Sequence, residues 1–119
     1  MNGKYSDLAN ELRKNMDILE STFEQNNLQL LRYTLRPYSD DDADCVLLIE
    51  FASLEKYHSP DGRLTIKANL YDKNDDLYLT SSHNIYLSDF SGYDTVELDL
   101  YDNQRTLLNA KSGRIFVTR

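Results

Sequence analysis

Two groups of acids raise the first chemical question. Asp40, Asp41, Asp42 and Asp44 crowd one stretch, and Asp72, Asn74 and Asp76 recur at alternate positions in another. Alternate oxygen ligands open a calcium loop, because Ca2+ needs a shell of several oxygens. The second stretch then departs from such a loop. Leu77 stands where the tight turn needs Gly, and His83 stands where a bidentate Glu would close the shell. Asp and Asn are also the ordinary residues of polar turns, so a solvated loop and a hairpin turn compete with a calcium site. A calcium-binding fold would have to bring the two stretches together at one end.

The tyrosines and a second acid pair carry a different chemistry. The chain has nine Tyr and no Trp. Tyr71 and Tyr101 fall on the polar side of alternating runs, and Glu97 and Asp99 share the side of Tyr101. Exposed Tyr offers large contact area at small entropic cost, and carboxylates beside it steer a basic partner. Tyr71, Glu97, Asp99 and Tyr101, with the loop Asp40, Asp41, Asp42 and Asp44, therefore form the expected protein-binding surface. Cross-strand tyrosine pairs that only stabilise a sheet are the competing reading.

Catalytic arrangements are absent from the pattern. Cys45 is the single cysteine, which excludes a disulfide framework. It could pair with His58 or His83, but Asp44 beside it works against a thiolate, and it opens an apolar run. One Cys and two isolated His do not make a zinc pattern. No Gly-x-Ser-x-Gly elbow or Gly-rich phosphate loop occurs; the four glycines are scattered. No catalytic residue, metal or cofactor is assigned, and no enzyme is expected.

The elements that must position these residues follow from periodicity. Leu8, Leu12, Met16, Leu19 and Phe23 recur every three or four residues, which predicts an amphipathic helix over 6–25 with Asn26-Asn27 as its stop. The stripe packs on the domain or makes a homodimer. After Asn27 the period becomes two. Leu31, Tyr33 and Leu35 predict a strand over 28–36 that ends at Pro37, and Cys45 to Leu54 reads as a central strand. Leu64 to Tyr71 and Leu77 to Leu87 follow, the latter with a polar middle that marks an edge strand or a bulge. Val96, Leu98 and Leu100 alternate with acids in a half-buried strand. Leu70-Tyr71-Asp72 and Leu100-Tyr101-Asp102 begin two similar stretches, each expected to turn and return as a hairpin. The second repeat favours a long strand, Leu107 to Thr118, over a helix at 103–112.

Size and charge set the outer limits. At 119 residues the chain forms one domain with an N-terminal helical part, 1–27, and a strand-rich part, 28–119. No run reaches the roughly 18 apolar residues of a membrane span. Asp7, Glu11, Arg13 and Lys14 interrupt any leader-like apolar run, so a cytoplasmic location is expected. Residues 37–102 hold fifteen acids and four bases, whereas 103–119 hold four bases and no acid. An acidic body disfavours direct nucleic-acid binding and favours a basic protein partner. Two alternatives come from other classes: an acidic inhibitor that mimics nucleic acid, and a calcium- or carbohydrate-binding sandwich.

The run Leu64 to Leu77, with Leu70-Tyr71-Asp72 at its strand end, resembles the FxLYD-type modules, as does Gly92 in the later turn. The resemblance spans the central third of the chain. Six or seven strands at short spacing, with no helical crossovers between them, predict an antiparallel β-sandwich preceded by one N-terminal amphipathic helix, and the resemblance implies that it is an immunoglobulin-like, non-catalytic module. It implies no active-site residues.

Overall fold

The apolar stripe of the first 25 residues reaches the core, but not as one helix. The computed structural model describes residues 4–37, 44–53, 62–86, 93–101 and 106–119. Helix α1 (Lys4–Lys14) has Asp7 in its first turn and Arg13 and Lys14 in its last, the order the helix dipole favours. The chain then extends. Met16–Ile18 form strand β1, which pairs in parallel with strand β7 (Ser112–Thr118). Gly113 makes this possible. A Cβ there would lie 2.4 Å from Met16 Sδ and 2.9 Å from Leu70 Cδ2, so glycine leaves the room that Met16 occupies. Helix α2 (Glu20–Gln25) follows, and Asn27, at a φ of 60°, turns the chain beyond it.

The expected helix over 6–25 is thus helix, strand, helix. The spacing misleads because every stripe residue still faces inward. Leu12, Met16 and Phe23 are buried, and Leu8 and Leu19 are half-buried. The stripe fills this chain's own core and is not displayed for a second copy.

Two sheets enclose that core. One has the order β1-β7-β4-β5, with β4 spanning Arg63–Tyr71 and β5 Leu77–Tyr86. The other has the order β2-β3-β6, from Leu28–Pro37, Cys45–Ser53 and Tyr93–Leu100. Every pairing except β1–β7 is antiparallel. Leu47, Ile49 and Leu98 from one sheet and Ile66, Leu70 and Ile115 from the other are fully buried in one cluster. The mainly β architecture matches expectation. The strand order is its own: a seven-stranded immunoglobulin fold pairs strands 1-2-5-4 and 3-6-7, whereas the orders here are 1-7-4-5 and 2-3-6.

Several strands follow their patterns closely. β3 is central in its sheet, β5 with its polar middle is an edge, and β6 buries Val96, Leu98 and Leu100 while exposing Thr95, Glu97 and Asp99. β2 departs in one place. Its register shifts between Leu30 and Arg32, which turns Leu31 outward to 47% exposure and returns Tyr33 and Leu35 toward the core.

The paired Leu-Tyr-Asp stretches diverge. The first ends β4 and opens the β4–β5 hairpin. After the second the chain leaves β6, forms the short helix α3 (Thr106–Asn109), and begins β7 only at Ser112. β7 pairs with β4 and β1, not with β6. The expected hairpin and the long strand from Leu107 are therefore replaced by a crossing to the other sheet. Buried Leu107 and Ala110, three apart, seat this helical turn on the core.

The helices close one side of the molecule. α1 and α2 each touch β2 of one sheet and β7 of the other. Arg13 Nε donates to the Tyr33 carbonyl at 3.3 Å, and the Val117 amide donates to Thr22 Oγ1 at 2.9 Å. Edge backbone groups of both sheets thus meet side chains from the helical segment. No helix among the described residues is long and apolar enough to cross a membrane.

Candidate protein-binding face

Alternation along β6 decides what its two faces carry. Val96, Leu98 and Leu100 point into the core, so Glu97 and Asp99 point out, and all three outward neighbours at the strand ends follow suit: Tyr93, Thr95 and Tyr101 are exposed. Tyr93 is 54% exposed and Tyr101 58%. Of the four expected sheet residues, Glu97 and Asp99 therefore lie on edge strand β6, and Tyr101 directly follows it. Tyr93 completes the row. Its signal was present, since the same alternation carried two residues back from Thr95 reaches Tyr93.

The rest of this sheet face is electrically graded. Register places Val46 beside Asp99 and Leu48 beside Glu97 on β3, with Arg36 and Thr34 beyond them on β2. The nearest strand thus sets apolar side chains beside both acids. Arg32 lies across from Glu50 instead, and Arg32 Nε and Nη2 donate to its carboxylate. The hydrogen bond from Arg32 holds the Glu50 carboxyl below the usual carboxylate range, although burial opposes it; Arg32 is pushed up in turn, first by the same hydrogen bond. Tyr93 adds a hydrogen bond to Glu50, which ties one end of the β6 row to the sheet.

Tyr71 does not join this face. It sits on β4 and turns away from the shared core beside buried Leu70, so it lies on the outer side of the other sheet. The Arg114 guanidinium stands 5.9 Å from its ring centroid and 4.0 Å from Asp17. These residues line a shallow cleft of about 280 Å³ with Asn15, Asp75 and Ser112. The inclusion of Tyr71 with Glu97 and Asp99 is corrected: strands of similar pattern belong to opposite sheets.

Asp44 is also corrected. It is fully buried, and its Oδ1 accepts hydrogen bonds from Thr106 Oγ1 at 3.1 Å and the Thr106 amide at 3.4 Å. It caps α3 from the start of β3 and offers no surface to a partner. Asp40, Asp41 and Asp42 lie outside the described residues, as does His58.

In the second acid stretch, Asp72 Oδ1 accepts the amides of Asn74 at 2.9 Å and Asp76 at 3.1 Å, while Asp75 adopts a φ of 63°. The carboxylate is organising a turn, which is why Asp suits this position. Among the described residues no three His, Cys, Asp or Glu side chains converge as a metal shell would need. Cys45 is buried in the core, whereas His83 is exposed on edge strand β5. Of the other tyrosines, Tyr86 is exposed on β5 and Tyr78 packs against the core. No family model matches this chain, and neither a curated protein nor a solved structure matches it.

Proposed function

We propose that this chain is a non-catalytic protein-interaction module that binds a basic partner through the outward row of β6: Tyr93, Glu97, Asp99 and Tyr101. The observation that carries the reading is two tyrosines, each more than half exposed, one opening an edge strand and one directly following it, with exposed acids between them. Water must leave these rings when they dock, which supplies affinity, and the carboxylates raise the rate of encounter with cations. A non-catalytic role agrees with what the FxLYD resemblance implies. The nucleic-acid mimic fits less well, because Arg32 and Arg36 on β2 confine the acidic stripe to one strand of the sheet.

The test is capture from lysate of the source cell with three tagged chains: wild type, Glu97→Lys/Asp99→Lys, and Arg114→Gln as a control on the opposite sheet. A protein held by wild type and by Arg114→Gln, but lost with the double reversal and with salt well above the physiological range, supports the face. Its association rate with wild type should exceed that with the reversed variant by roughly tenfold or more. Retention of the same proteins by the reversed variant would sink the reading.

A further inference from the structure

The four sheet edges differ in how they are finished. β1 is three residues long and is followed by α2. β2 carries a register shift at Leu30/Arg32, and Arg13 donates to its Tyr33 carbonyl. β5 has a register shift against β4 at Leu70/Tyr71, and polar Ser81 and His83 stand opposite Ala68 and Ile66 on its core-facing side. Short length, bulges, covering groups and inward polar residues are how edges avoid pairing with other chains. β6 has such a finish only at its start, where Asp94 stands opposite buried Phe51 and its Oδ1 accepts the Thr95 amide at 2.8 Å. β6 pairs with β3 over eight consecutive residues without a shift, from Cys45↔Leu100 to Ala52↔Tyr93. Its span, Tyr93 to Leu100, contains no Pro, Gly, Lys or Arg. β5 packs against it without pairing, and among the described residues no strand occupies its outer edge. Alternate backbone groups of β6 therefore point away from β3, as they must at the rim of an antiparallel sheet.

We infer that β6 accepts an added strand from its partner, and that this strand alternates apolar residues with Lys or Arg. The inference rests on the interaction reading above and names the partner's chemistry. An incoming strand would place every second side chain beside Val96 and Leu98, where apolar residues extend the core. The intervening ones would lie beside Glu97 and Asp99, where bases pair across strands. A second copy of β6 is the wrong occupant, because it would set acids against acids, and like charges directly opposite destabilise a sheet.

The experiment uses the full chain, isotope-labelled, with a synthetic peptide of about seven residues that alternates Val and Lys. A second peptide of the same sequence is N-methylated throughout, which keeps charge and side chains but removes the backbone donors. Strand addition predicts slowed exchange of the outer β6 amides with the first peptide, and binding of the second at least about tenfold weaker. Equal binding of the two peptides, without new protection of β6 amides, overturns strand addition while leaving face docking intact. If neither peptide binds and Glu97→Lys/Asp99→Lys still loses its captured protein, strand addition again falls and the interaction reading stands. If neither binds and capture is unchanged by the reversal, both fall.

Discussion

On the side where β2 and β7 meet α1 and α2, strand edges end in contacts. Arg13 reaches the Tyr33 carbonyl, Thr22 accepts the Val117 amide, and Met16 enters beside Gly113. On the far side, β6 runs straight for eight residues, with one tyrosine opening it, another directly following it, and acids on its surface. The first side devotes apolar and hydrogen-bonding residues to its own stability. The second leaves two tyrosine rings more than half exposed, although Tyr93 hydrogen-bonds Glu50. Two rings more than half exposed on one strand edge are the feature that the proposed binding role accounts for.

The sharpest way to break this contrast is to empty the closed side. Phe23, on the inner face of α2, is fully buried. Phe23→Ala should lower unfolding stability by about 3–5 kcal/mol, read from the urea midpoint, because the cavity adds to the lost burial. Glu97→Gln/Asp99→Asn on the open side should stay within about 0.5 kcal/mol of wild type. A comparable loss from both would erase the distinction.

Gly113→Ala comes next. Its Cβ would collide with Met16 Sδ and Leu70 Cδ2, and the strain should cost about 1–3 kcal/mol. Adding Met16→Ala should make the two changes non-additive, which a double-mutant cycle would detect. Simple additivity would mean that β1 does not depend on this glycine.

The smallest effect concerns Arg32 and Glu50. The Glu50 carboxyl titrates below its ordinary range because Arg32 donates hydrogen bonds to it. A depressed native value contributes stability that is fully present above the unfolded value, about 4.3, and is lost as pH falls through the lower native value. The stability gap between wild type and Arg32→Gln should therefore shrink as urea titrations move into that acidic window. A gap that stays constant would show that the pair is energetically silent.

Much of the strand framework was legible because alternation is a local signal. Val96, Leu98 and Leu100 revealed the inward side of β6, and the polar middle of β5 revealed an edge. What the pattern could not carry was partnership between distant segments. Nothing local in Tyr71 says that its strand belongs to the sheet opposite Glu97. The break after Lys14 was hidden because the stripe records only the direction of the core, and Met16 satisfies it from a strand as well as from a helix. The cause sits at Gly113, almost a hundred residues away. Asp44 resembled its acidic neighbours until Thr106, 62 residues further on, claimed its carboxylate.

The most direct test is amide hydrogen exchange on the isolated chain, comparing the two sides residue by residue. The Val117 amide, held by Thr22, should be strongly protected, whereas the alternate β6 amides that point away from β3 should exchange fast. That result would establish β6 as an open edge available to a partner. If those β6 amides exchange as slowly as Val117, the edge is already covered, and the account of β6 as a binding strand is wrong.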